Sequence, residues 1–247
     1  MTSFLNKTAG RVKENVLTQS ISLVRTLGAE DRIKKSAFTL AEVLITLGII
    51  GVIAALTLPS ILANKERKEL QAAFKKGYSE LGQALVSMNA EQGFETTPKS
   101  YSKMPFYQTY MKYFQVLENC NRSDCLSLLK YKTFNKKNDA NTTYFDDGQF
   151  ILSDGTFIVI ENPYGLENAH ILITIDTNGI KKRPNAWGHD LFTFQIGSDG
   201  KLLPMGAEYT EYTDKNTYCD KSSTNNLNGI ACAYYAMSDK DYWKTLP

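Results

Sequence analysis

One glutamate stands alone in an apolar run. From Phe38 to Ala63 the chain reads FTLAEVLITLGIIGVIAALTLPSILA, and Glu42 is its only charge. On insertion scales a carboxylate buried in lipid costs at least about 2.5–3.5 kcal/mol, so it calls for a partner. The four cysteines all follow residue 119, as the local pairs Cys120/Cys125 and Cys219/Cys232. That layout suits two disulfides in an oxidising compartment, with swapped pairings left open. Metal at the cysteines is disfavoured, because neither spacing is CxxC and only His170 and His189 could add ligands. In DTNGIKKRPNAWGHDLFTF, Asp176, Asn178 and Asp190 offer oxygens of the kind calcium takes. EF-hand spacing is absent, and Asn-Gly and Pro-Asn are ordinary turn chemistry, so a structural turn is the first expectation and calcium the alternative. The chain has no GxSxG elbow, Walker loop or HExxH, which argues against an enzyme. A formal net charge of +2 is too small to argue for nucleic acid or an acidic partner.

The element that must position Glu42 is a helix. The 26 residues from Phe38 to Ala63 would extend roughly 39 Å, and a bilayer core needs about 20 apolar residues. Lys34 and Lys35 precede the run and favour a cytoplasmic N-terminal side. Lys65, Arg67 and Lys68 follow it, diluted by Glu66 and Glu69. A secretory signal has a shorter apolar region and a small residue after it. Here the small residue, Ala37, comes before the run. That order calls for cleavage on the cytoplasmic side, with the apolar helix retained.

Lys34-Lys35-Ser36-Ala37 followed by Phe38-Thr39-Leu40-Ala41-Glu42 resembles the N-terminus of type IV prepilins and type II secretion pseudopilins. The resemblance implies that a prepilin peptidase cuts between Ala37 and Phe38, and that the new N-terminus at Phe38 is methylated. Ala37 stands where the family usually has glycine. Glu42 is then the fifth mature residue, and the resemblance implies that it pairs with the N-terminal amine of a neighbouring subunit and sets register during assembly. Pro59 is the twenty-second, where the family often has proline; this implies a point at which the helix bends or melts in a filament. The implied partners are prepilin peptidase, other pilin or pseudopilin subunits, an inner-membrane assembly platform and membrane lipid. The implied location is the inner membrane, single pass, with the head outside the cytoplasm and later on a periplasmic or cell-surface filament. Some pseudopilins hold calcium in a head loop, which bears on Asp176, Asn178 and Asp190.

Beyond Asn64 the pattern turns amphipathic. Leu70, Phe74, Tyr78, Leu81, Leu85 and Met88 recur at three- and four-residue spacing, and Gly93 and Pro98 mark an end. One helix is expected from about Phe38 to about Gln92, and a short one over 105–117 whose aromatics pack in a core. From residue 143 strands are expected at Gln149–Leu152, Thr156–Glu161, Ile171–Asp176, Leu191–Ile196 and Lys201–Leu203, separated by Ser-Asp-Gly and Asn-Gly turns. These make an antiparallel sheet of four or five strands, covered by the Leu70–Met88 stripe. The fold class is α+β, a long N-terminal helix packed on a sheet. Its expected parts are a leader over 1–37, a transmembrane or filament-core helix over 38–63, an amphipathic stem over 64–93 and an extracytoplasmic head over 94–247. The expected function is a filament subunit. The alternatives are a single-pass membrane-anchored binding domain that never polymerises, or a head that binds DNA or a surface ligand; the sequence shows no clear nucleic-acid groove.

Overall fold

The computed structural model describes residues 38–122, 124–125, 130–143, 145–162 and 170–247. The leader expected over 1–37, Ala37 included, lies outside the described residues. Helix α1 spans Leu40–Gln92. The chain divides at Leu56/Thr57 into two compact units.

In the first unit the described residues are the start of α1 and the two residues before it. Leu40, Leu44, Ile45, Leu47, Ile50 and Ile53 are all more than half exposed. Apolar side chains cover the helix on every side, the composition of a segment made for lipid or for other helices rather than for water. By length and composition α1 can cross a membrane.

The second unit, Thr57–Pro247, holds the rest of α1 and the head. Here the helix turns amphipathic, and Leu70, Phe74, Gly77, Leu81, Ala84, Leu85 and Met88 are buried. Gly93 stops it in the left-handed region at φ +73°, where glycine carries no Cβ penalty, and its N–H closes on Asn89 O at 3.0 Å. The Asn89 side chain then takes both the N–H and the hydroxyl of Thr96, fixing the chain as it leaves the helix.

Six strands follow in simple order, each antiparallel to the next: β1 (Val116–Asn119), β2 (Gly148–Leu152), β3 (Phe157–Glu161), β4 (Ile171–Asp176), β5 (Leu191–Ile196) and β6 (Leu202–Pro204). The central pair β4 and β5 is buried on both faces. Toward α1, Phe74 meets Phe192 at 4.4 Å between ring centroids and Trp243 at 5.7 Å. At Gly77 the helix comes so close that an added Cβ would stand 2.7 Å from Ile175 Cδ1. On the other face Thr174 and Thr193 share a hydrogen bond at 3.0 Å, and Trp187 Nε1 donates to Thr193 Oγ1 at 3.2 Å. Residues outside the sheet therefore cover that face too, and the head has three layers.

Two expectations need correction. The helix read over 105–117 is a short one, α2 (Phe106–Tyr110), continued by a 3₁₀ turn to Tyr113. Phe114 is already extended, and Val116 opens a sixth strand, where four or five were expected from residue 143 onward. Strand β1 is an edge strand with three exposed residues, so it lacks the alternation that marks a half-buried strand. Of the aromatics placed in the core there, Phe106 and Tyr110 are buried, while Tyr113 and Phe114 pack half-buried against it.

The C-terminal segment adds α3 (Lys215–Tyr218), capped by Asp214 through Asn216 N–H at 3.0 Å, and α4 (Cys232–Ser238). Cys219–Cys232 closes the polar loop between these helices, and Cys120–Cys125 closes a tight loop after β1.

Candidate functional site

Glu42 sits in the first turn of α1, and its carboxylate is taken up locally. Thr39 N–H donates to Glu42 Oε2 at 2.8 Å and the Thr39 hydroxyl to the same oxygen at 2.9 Å. In return Glu42 N–H donates to Thr39 Oγ1 at 3.2 Å. This is a capping box, which pairs donors that the helix start leaves open and sets a negative charge at the positive end of the helix dipole. The signal was legible as Thr-x-x-Glu at residues 39–42, yet the reading from sequence weighed only an intermolecular partner and a carboxylate snorkelling to the membrane edge. Phe38 precedes the cap and is 84% exposed, with its ring free of the fold. Helix α1 is continuous through Pro59, which cannot donate the helical hydrogen bond of its position.

The turn between β4 and β5 brings Asp176, Asn178 and Asp190 together. Asp176 Oδ1 accepts from Gly179 N–H at 2.9 Å and Asn178 N–H at 3.3 Å, and Oδ2 from the Tyr131 hydroxyl at 2.7 Å. Asp190 takes Asn185 N–H at 2.7 Å and Ala186 N–H at 2.8 Å, one on each oxygen. Both carboxyls are fully buried. Burial, and for Asp176 also the charge of Asp190, raises them above the ordinary carboxylate range. The oxygens Asn178 Oδ1 and Asn185 Oδ1 are buried with no partner. The turn chemistry expected from sequence is thus present. The same turn also holds two neighbouring acids and two orphaned oxygens.

The neighbouring His189 is buried and bonds the Phe134 carbonyl at 2.9 Å. Burial lowers its pKa to about 4. His170 is exposed and meets Gln195 at 3.2 Å, so the two histidines share no site. A group that sequence reasoning missed is Glu161 beside Asp146 and Asp147. Asp147 is held by Arg122 at 2.9 Å, while Glu161 Oε2 is buried without a partner. Burial, then the charges of Asp147 and Asp146, pushes Glu161 up to about 8. Residues so far apart in sequence gave no motif; β2 and β3 pairing brings them together.

Residues 32–58 match the family described as the prokaryotic N-terminal methylation motif. No curated protein and no solved structure matches the chain. The match covers the lysines before the apolar run, Ala37, Phe38, Glu42 and the helix up to the residue before Pro59. With a long N-terminal helix leading into an antiparallel sheet, the chain carries the signature of the type IV prepilin and pseudopilin family.

Proposed function

We propose that this protein is a structural subunit of a type IV pilus or a type II secretion pseudopilus. The observation that carries the reading is the methylation motif at 32–58, lying on a helix whose apolar side chains stand bare. Prepilin peptidase cuts after Ala37 and Phe38 becomes the methylated N-terminus. The apolar part of α1 first rests in the inner membrane, head outward. An assembly platform then lifts it into a filament, where helices of other subunits replace lipid.

In this scheme Glu42 has two partners in succession. Before assembly the Thr39 cap holds the carboxylate, which lowers the cost of carrying a charge in an apolar helix. In the filament the Phe38 amine of a neighbouring subunit takes it over and fixes register. Pro59 supplies the weak point at which α1 bends.

The test is the N-terminal peptide of the protein from its own host, read by mass spectrometry in membrane and sheared-surface fractions. A peptide beginning at methylated Phe38 supports the reading, and its recovery from the sheared fraction favours a pilus. A chain still carrying residues before Phe38, in a host whose other prepilins are cut, removes the filament and leaves a membrane-anchored binding domain.

A calcium ion at the turn of Asp176, Asn178 and Asp190 is a second proposal, supported by the orphaned oxygens of Asn178 and Asn185. The two carboxyls and two amide oxygens fall short of the six to eight ligands that calcium takes, so carbonyls or water must complete the shell. Calcium would offset the repulsion of the paired acids. A melting temperature unmoved by calcium or by chelator would remove it.

A further inference from the structure

Four segments of the head meet around one open pocket. The turn between β5 and β6, residues 197–201, is closed by Gly197 N–H on Lys201 O at 2.9 Å and by Gly200 N–H on Gly197 O at 3.1 Å. It abuts the chain leaving α1, since a Cβ added at Gly200 would stand 3.3 Å from Thr96 O and 3.4 Å from Glu95 Cβ. There Thr97 N–H donates to Ser100 Oγ at 2.8 Å and Ser100 N–H to Thr97 Oγ1 at 3.1 Å, which holds Pro98 and Lys99 in a fixed turn. His170, just before β4, and Tyr209, after β6, complete the lining. The cavity measures about 790 Å³, inside the range of about 300–1,000 Å³ in which small-molecule sites fall.

A buried amide ties these segments together. Gln195, on β5, is 2% exposed. Its Oε1 accepts Glu211 N–H at 2.8 Å, and its Nε2 lies 3.4 Å from Tyr209 O and 3.2 Å from His170 Nδ1. A backbone N–H can only donate and a carbonyl can only accept, so the amide has a single orientation. Gln195 Nε2 therefore donates to His170 Nδ1, and the neutral imidazole carries its proton on Nε2, a directed donor at the pocket wall.

Tyr209 is the most exposed large side chain of the described head, at 82%, and its backbone stands at φ +70°. That region is uncommon for a residue with a side chain and costs free energy. A ring so exposed gains little from burial to offset the strain. Beside it Pro98 and Leu203 are half-buried and add apolar wall, while Lys99 and Ser198 are exposed. The charges at the pocket balance. Lys201 pairs with Asp199 at 2.7 Å, and Lys99 is matched by Glu95, which adjoins the same turn through Gly200. Glu208 and Glu211 are exposed on the Tyr209 segment. Stacking of nucleic-acid bases calls for a cationic groove, and none is present among these residues.

We infer that this pocket binds a neutral saccharide. A pyranose carries an apolar C–H face and a rim of hydroxyls, and the pocket offers an exposed aromatic ring with separate polar groups around it. The Tyr209 ring takes the C–H face. His170 Nε2–H donates to a sugar hydroxyl, and Ser198 and Asp199 meet others. Every residue involved lies in the head, so the site works whether or not the subunit polymerises.

The experiment is saturation-transfer NMR on the full chain in lauryldimethylamine oxide, a detergent without a sugar. The probes are cellotriose and chitotriose, whose equatorial hydroxyls leave C–H bonds on both ring faces. Transfer to the ring C–H protons is expected. Tyr209→Ala should weaken binding on the order of tenfold, and Tyr209→Phe should keep it within about twofold. Tyr209→Gly relieves the backbone and should lose as much as Tyr209→Ala, which assigns the loss to the ring. His170→Ala should weaken binding about fivefold. Leu117→Ser, exposed on the edge strand β1 at the other side of the sheet, should leave it unchanged. Unchanged fluorescence of the buried Trp187 and Trp243 is the control for folding. No transfer to either sugar at about 10 mM overturns the inference. So does binding that Tyr209→Ala leaves intact, or binding of a single-stranded oligothymidylate in place of the sugars.

Discussion

Replacing Phe74 by alanine removes the side chain on which the stem and the head meet. The ring is 1% exposed, lies 4.4 Å from Phe192 and 5.7 Å from Trp243, and stacks on Phe194 at 6.2 Å. Phenylalanine-to-alanine changes in cores cost about 3–5 kcal/mol, part transfer and part cavity. Two walls of this cavity would be the rings of Phe192 on β5 and of Trp243 on a C-terminal 3₁₀ turn, Tyr242–Lys244, which cannot collapse together, so the upper half of that range applies. With a urea slope near 2–3 kcal/mol per molar, the midpoint should fall by about 1.3–2.5 M. Tryptophan fluorescence of the full chain in detergent reads this directly, since the chain has only Trp187 and Trp243, both buried, and Trp243 adjoins the missing ring. Phe74→Leu should lose far less, about 1.5 kcal/mol or under. Val86→Ala, on the 68% exposed side of the same helix, should stay within about 0.5 kcal/mol. A midpoint for Phe74→Ala within a few tenths of a molar of wild type would refute the packing of α1 on the sheet.

Other predictions follow from the same geometry. Glu42→Gln keeps an acceptor for the Thr39 cap but removes the charge, so the chain should insert and be processed normally while filament incorporation falls on the order of tenfold; normal incorporation would deny the ion pair. Thr39→Ala does the reverse, costing about 1 kcal/mol of helix start, visible as faster amide exchange over residues 40–43 with assembly retained. Glu161 has a folded pKa raised to about 8 from an ordinary 4.5. Between those values the folded state holds its proton longer than the unfolded one, so wild-type stability falls as pH rises from about 4.5 to 8. Glu161→Gln should therefore stabilise more at pH 9 than at pH 5, by about 1 kcal/mol after discounting for solvent access, and equal gains at the two pH values would contradict the assignment. Removing both Cys219 and Cys232 as serines opens a loop of sequence separation 13 and should cost about 3 kcal/mol, measured by urea melting.

Much of the architecture could be read in advance because it is written in local patterns. The stem stripe from Leu70 to Met88 has helical spacing, and five strands are bounded by Ser-Asp-Gly or Asn-Gly turns, so each announces itself within a few residues. Strand β1 gave no such signal. Its side chains are exposed, and only the ladder to β2 makes Val116–Asn119 a strand. Gly77 was absent from the expected stripe because its role is smallness; only the close approach of the sheet shows that a larger side chain would collide.

The sites divide along the same line. The N-terminal segment is contiguous, so Lys34 to Glu42 and the apolar run state its chemistry without any fold, and even the capping box is a four-residue word. Clusters assembled from distant residues could not be read. Glu161 meets Asp146 and Asp147 through strand pairing, and Tyr131 reaches Asp176 across the far face of the sheet. By itself the sequence determined the apolar helix, the methylation motif and the alternation of most strands, since each depends on neighbours within a turn or two of the chain. The tertiary structure alone decided which carboxyls are buried together, because burial and electrostatic proximity are set by contacts between segments that the chain order keeps apart.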